Sequence, residues 1–327
     1  MPNDDRSPLD TSAGPGDAAR RIHGAMVAFA AGDALGVPWE GRPPERVDAA
    51  EVVRLPAPDR GWPRGSTSDD TAQMVLAARC LADTGGRPSS MDFLTRLADA
   101  APGVRGLGPT TLRALAHFHA TAELPAPSAA DLPTNGAAMR IAPVGWAVPP
   151  HRTERRRSLC ETLSAATHRA PAAVGAACVI AAMASFAVEG AGADDLLDAA
   201  AAEARWAGER YGPMDAVADA ARGRWSPPRE GVSLDAVETV AAVVHVIRET
   251  PGPAAALPYA VSLGGDTDTV AALAGGVLGA RDPDGVTALG WLRLVDLGEH
   301  PGLGDLAVRL SALRETAAAG LRAEGAG

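Results

Sequence analysis

Between residues 17 and 321 the chain repeats one pattern: alanine-rich segments carrying apolar residues three and four positions apart, separated by proline and glycine. Val240, Val243, Val244 and Ile247 form one such stripe, and apolar residues at that period bury one face of a helix. The alternation with period two that marks a half-buried strand is not seen, and alanine outnumbers the β-branched residues that strands favour. The chain is therefore expected to be all-α. Helices are expected over residues 17–35, 71–83, 91–100, 111–120, 155–166, 172–189, 194–207, 214–222, 234–249, 254–263, 269–280 and 303–321. They suggest a single compact multi-helix domain over residues 17–322, preceded by a disordered polar arm (1–16) and followed by a short tail (323–327). The longest irregular stretches, 37–69 and 124–150, are of a length that compact domains keep for function.

The formal charge of −10 argues against a nucleic-acid or anionic-membrane surface, since both need a basic patch. All thirty basic residues are arginine. The absence of lysine excludes Schiff-base, P-loop and pyridoxal-phosphate chemistry. Cys80, Cys160 and Cys178 stand far apart with no metal-type spacing, which fits a reducing cytoplasm. Residues 174–188 are apolar but too short for a bilayer span, so they are expected as a buried core helix, and the chain as a monomer with no membrane segment.

Two acidic motifs stand out. Ser68-Asp69-Asp70-Thr71 opens one expected helix, and Gly264-Gly265-Asp266-Thr267-Asp268-Thr269 opens another. Helix capping explains one such cluster but not two of the same kind. Carboxylates gathered at one place need a neutralising partner. Asp, Ser and Thr oxygens suit Mg²⁺ or Mn²⁺, whereas no His/Cys cluster favours zinc. Two ions ~3.5–4 Å apart are a recurrent arrangement for hydrolysis.

Taken in order, Gly32-Asp33-Ala34-Leu35-Gly36 with Glu40, Ser68-Asp69-Asp70-Thr71, Asn135-Gly136-Ala137-Ala138-Met139-Arg140, Thr167-His168 and Gly265-Asp266-Thr267-Asp268-Thr269 resemble the motif set of the ADP-ribosylglycohydrolases. The resemblance spans roughly residues 20 to 320. It implies an all-α fold and two Mg²⁺ ions held by Ser68, Asp69, Asp70, Asp266, Asp268 and Thr269, with Ser68 standing where the family more often has Thr. It implies catalytic roles for Glu40, Asp69 and Asp268, with Glu40 resembling a mobile acid near the metals. ADP-ribose, free or on a modified protein or small molecule, is the implied partner.

For binding, Arg105-Gly106-Leu107-Gly108 resembles a family loop with an aromatic at the Leu107 position, and Gly106 and Gly108 could present N–H groups to a diphosphate. Asn135 and Gly136 are expected to wrap the ADP-ribose, His168 to lie beside it, and Arg140 either to pair internally or to reach the diphosphate. Asp33, inside an apolar helix end, is expected to support the site rather than react. Two alternatives remain. Asp266 and Asp268 also fit the DxDx[TV] pattern of haloacid-dehalogenase-type phosphatases, though no strand is expected before them, and the chain could be an ADP-ribose binder without turnover. The expected acceptor is ADP-ribosyl-arginine, partly by resemblance to the branch that reactivates dinitrogenase reductase and partly because an acidic mouth favours a cation.

Overall fold

Glycine and alanine determine which helices lie at the centre. The computed structural model describes residues 16–128 and 130–324, so the expected arm, up to residue 15, and the last three residues lie outside the described residues. Among the described residues the helices are α1 (Asp17–Gly36), α2 (Ala49–Val52), α3 (Asp69–Asp83), α4 (Ser90–Ala100), α5 (Pro109–Thr121), α6 (Ala142–Ala147), α7 (Thr153–Ser164), α8 (Pro171–Val188), α9 (Ala193–Tyr211), α10 (Asp215–Ala221), α11 (Ala236–Glu249), α12 (Pro253–Ser262), α13 (Thr267–Arg281), α14 (Pro283–Thr287) and α15 (Leu303–Glu324). Extended pairing is limited there to isolated bridges, Arg42 with Gly265, Thr134 with Asp235 and Val232 with Gly265. The all-α expectation holds.

α1 is buried from Ile22 to its end, and α13 from its start to Ala280. A helix with no polar face belongs inside a core, and these two pack on each other along their length. Small residues let the backbones touch. A Cβ on Gly32 would lie 2.2 Å from the carbonyl oxygen of Ala271, and one on Gly275 would lie 2.2 Å from that of Ala28. The remaining helices wrap this pair. α8 is long and apolar enough to cross a membrane by composition, but 83% of it is buried inside the protein, against α6, α7, α9, α11 and α13. That is the expected core helix. Buried Arg314 on α15 donates to the carbonyls of Gly145 and Val148 (each 3.0 Å) and Ser185 (2.8 Å), tying the last helix to α6 and α8.

The stretch expected to be irregular at 124–150 contains α6, and the one at 37–69 contains α2 and two 3₁₀ turns. Elements this short carry too few residues to show a period. α6 instead starts at Ala142-Pro143, using proline in a first turn where no N–H is needed. α15 runs to Glu324, past the expected end at 321.

Gly275→Ala should destabilise the protein by roughly 2 kcal/mol. The ~1 kcal/mol that alanine gains over glycine in a helix is outweighed by overpacking of up to ~3 kcal/mol. Gly304→Ala, in α15, where nothing lies within 4 Å of the added carbon, should be neutral or stabilising. Denaturant midpoints of the two variants check this, and equal midpoints would refute the close-contact argument.

Candidate metal centre and its cleft

The two acidic motifs begin α3 and α13, and the fold brings those N-termini together through α1. Asp33, near the end of α1, is fully buried and accepts from Ser68 N (3.0 Å), Thr71 N (3.0 Å) and Thr71 Oγ1 (2.5 Å). One helix thus caps another across the chain. At the other motif, Thr267 Oγ1 donates to the Gly36 carbonyl at 2.9 Å. A Cβ on Gly36 would fall 2.4 Å from the Asp268 backbone. The last turn of α1 therefore sits directly against the start of α13, and Asp33 supports the site as expected.

Gly264 and Gly265 adopt φ of 71° and 74°, the left-handed region that glycine alone enters freely. This turn lets Gly265 N donate to Arg42 O and Gly41 N donate to Gly265 O, both at 2.8 Å, while Asp266 N donates to Val232 O at 2.8 Å. The loop holding Glu40 is thereby stapled to the second motif. One carboxylate oxygen from each of Glu40, Asp266 and Asp268 lies within 4.8 Å of the others. Glu40, expected as an acid near the metals, joins this ligand-like set.

Capping accounts for only part of the acidic motifs. Ser68 Oγ does accept from Asp70 N at 3.1 Å. Asp266, the N-cap of α13, accepts no capping bond from the backbone of its own helix. Its Oδ2 accepts from Asn135 Nδ2, which also donates to Thr239 Oγ1 at 2.9 Å. Asp70 Oδ1 is buried with no hydrogen-bond partner, an arrangement that costs stability unless a positive charge faces it.

Glu40, Ser68, Asp69, Asp70, Asp266, Asp268 and Thr269 all line one cleft, with Gly106, Gly108, Asn135, Gly136 and His168 on its other walls. Asn135 was expected to wrap a ligand, but its amide nitrogen is engaged in orienting Asp266. Arg140 is a correction: it does not line the cleft and is fully buried. Its guanidinium donates to Gln73 Oε1, Leu163 O and Thr167 Oγ1 and lies over the Phe93 ring, so it is held internally by neutral acceptors and not by the expected salt bridge. Sequence reasoning missed Arg60, which lines the cleft and pairs with Glu40 at 2.7 Å. Its guanidinium also lies 5.6 Å from the centre of the Trp62 ring. The only signal was its place in the long irregular stretch already marked for function.

Burial dominates the electrostatics of the carboxyls. It raises Asp33 to about 6, against four bonds from Ser68 and Thr71, and Asp266 to about 6, against the Asn135 bond. Asp69 is pushed up to about 8 by burial and then by the charge of Asp33. Asp70 and Asp268 are driven well above the ordinary carboxylate range by burial, then by the charges of Asp33 and of Glu40 respectively. These carboxylates are poor neighbours for one another but good ligands for a hard cation. Carboxylate and hydroxyl oxygens with an unpartnered Asp70 oxygen fit a divalent ion of the Mg²⁺ or Mn²⁺ kind.

Fold and cleft together define an all-α protein with an oxygen-lined, cation-ready site between helix N-termini. The chain belongs to the ADP-ribosylglycohydrolase family, whose profile matches residues 15–319. It is 30% identical over 296 residues to the uncharacterized protein YegU of Escherichia coli (strain K12), covering 80% of this chain and 87% of that one. An uncharacterized protein of Archaeoglobus fulgidus is 26% identical over 275 residues, with the same coverages of 80% and 87%. A solved structure described as an ADP-ribosylglycohydrolase-related protein complex superposes with a TM-score of 0.75 at 29% identity, covering 91% of this chain and 98% of its own. The fold has no strand leading into Asp266, which α12 and a left-handed glycine turn precede. A haloacid-dehalogenase site requires such a strand, so that alternative is set aside.

The raised carboxyls make the metal-free fold sensitive to pH. A carboxyl whose folded value lies above its unfolded value of about 4 holds its proton more tightly when folded. Stability is then present below pH about 4 and is lost as pH rises through the folded values of about 6 and about 8. Chelator-treated protein should therefore show a lower melting temperature at pH 8 than at pH 5, and millimolar Mg²⁺ should remove most of the difference. A melting temperature that rises over that range without metal would contradict the carboxyl assignment.

Proposed function

We propose that the protein is a divalent-cation-dependent hydrolase that cleaves the glycosidic bond between ADP-ribose and a modified acceptor. The observation that carries this is the buried, unpartnered Asp70 Oδ1 within a carboxylate-lined cleft of a chain in the ADP-ribosylglycohydrolase family. Ser68, Asp69, Asp70, Asp266, Asp268 and Thr269 would hold two Mg²⁺ or Mn²⁺ ions, with Glu40 added by its position beside Asp266 and Asp268. Ions bound there supply Lewis acidity and neutralise the cluster.

The chain's own groups supply the rest. Hydrolysis adds OH from water to the anomeric carbon and a proton to the departing acceptor. A carboxylate of Asp69, Asp268 or Glu40 takes the proton from water, and the protonated carboxyl can return it to the leaving atom. The turn at Gly106 and Gly108 precedes α5, and Thr110 and Thr111 of its first turn line the cleft, a setting suited to a diphosphate. Arginine remains the preferred acceptor, supported by the acidic centre, although Arg60 at the mouth weakens the charge argument. Three buried, unpaired cysteines support a reducing cytoplasm.

The test is release of ADP-ribose from arginine-, serine- and nucleobase-linked substrates, with and without Mg²⁺. Chelation should abolish turnover, and Mg²⁺ or Mn²⁺ should restore it. Asp268→Ala should lower kcat by ~10² or more, since its loss removes a ligand and a proton acceptor, while leaving the metal-free unfolding midpoint equal or higher, because repulsion is relieved. Tight ADP-ribose binding with no release from any substrate would leave a silent binder instead.

A further inference from the structure

Arg140 is buried behind the cleft, yet its guanidinium is one hydrogen-bonded step from two residues that line it. It donates to Gln73 Oε1 at 2.9 Å on one side and to Thr167 Oγ1 at 2.7 Å on the other. A guanidinium has donors and no acceptor, so the direction of each following bond is fixed. Gln73 receives on its amide oxygen and therefore turns its NH₂ to Asp69, donating to Oδ2 at 2.7 Å. Asp69 Oδ1 is left facing Gly106, where an added Cβ would lie 3.3 Å away.

On the other side, Thr167 receives on Oγ1 and has one hydrogen of its own. Its remaining neighbour is His168 Nδ1 at 2.7 Å. If Nδ1 were the donor, the buried hydroxyl hydrogen would have no acceptor among the described residues, and a buried unpaired donor is destabilising. Nδ1 therefore accepts, the ring is neutral, and its proton is on Nε2. Burial, with the charges of Arg140 and Arg113, also holds the ring well below the usual histidine range. Nε2 packs against Gly136, where a Cβ would come within 2.4 Å. It has no protein partner among the described residues, and His168 is a wall of the cleft.

We propose that Arg140 is a positioning residue that sets the polarity of the cleft from behind. Through Gln73 it fixes the orientation of the Asp69 carboxyl, and through Thr167 it presents His168 as an Nε2–H donor. The group selected opposite His168 is an acceptor oxygen of the ligand, not a cation or an N–H. The ligand half of this inference rests on the hydrolase reading above, whereas the tautomer half does not.

The experiment uses the full chain labelled with ¹⁵N-histidine, in which long-range ¹H–¹⁵N spectra distinguish the two tautomers, together with calorimetric titration of ADP-ribose in Mg²⁺. His168→Gln identifies the His168 signals by their disappearance. Wild type and Thr167→Ser should show the Nε2–H form. Thr167→Val should lose it, shifting to Nδ1–H or a mixture, and bind ADP-ribose roughly tenfold more weakly, the loss expected for one hydrogen bond in a desolvated site. An Nδ1–H ring in the wild type overturns the proposal, as does a Thr167→Val protein with the wild-type tautomer and affinity, even if it melts earlier. Wild type that shows the Nε2–H ring but binds no ADP-ribose sinks the hydrolase reading and leaves the polarity argument standing.

Discussion

The site depends on the contact of α1 with α13, where backbone meets backbone because glycines remove the side chains between them. Wider spacing would separate two things at once. Thr267 would lose the Gly36 carbonyl, and the start of α13 would move away from the start of α3, which Asp33 holds to the same end of α1. α1 thus ties two segments almost two hundred residues apart in sequence. Helix N-termini repel cations by their dipoles and attract anions, so pointing two of them at one cleft favours carboxylates there. The fold supplies part of the stabilisation that crowded acids require.

That stabilisation is incomplete, and the shortfall is informative. Asp33 has four hydrogen-bonding contacts and is raised only to about 6, while Asp70, with one buried oxygen unpaired, is driven well above the ordinary range. The difference between these two acids follows the hydrogen bonds that each receives. Both oxygens of Asp33 are bonded by protein, whereas Asp70 keeps one buried oxygen without a partner. A purely structural cluster would place a guanidinium among them, and the nearest arginines do other things. Arg140 lies behind Gln73, and Arg60 reaches Glu40 from the mouth.

How much of this could be read from residues alone follows from the range of each interaction. Helical spacing and caps are local, so the all-α architecture and the starts of α3 and α13 were legible, and the motif order pointed to residues that do line one cleft. Contacts between distant segments have no local signature. The capping of α3 by Asp33 gave no sign beyond an acid in an apolar segment. The stapling of the Glu40 loop to Gly265 gave none. Arg140 illustrates the same limit. A motif marks a residue as part of a site without saying whether it faces the ligand or stands one bond behind it.

Net charge is a weak guide to what such a cleft accepts. The chain carries −10 overall, yet bound divalent ions would neutralise much of the local cluster, and exposed charges farther off are screened within about 10 Å at ordinary salt. Two side chains of a different character also line the cleft. Arg60 is cationic there, and Leu234, more than half exposed, lines the cleft beside the Thr134–Asp235 bridge. The cleft thus sets a cationic and an apolar side chain beside its acidic centre, so its local character differs from that of the chain as a whole.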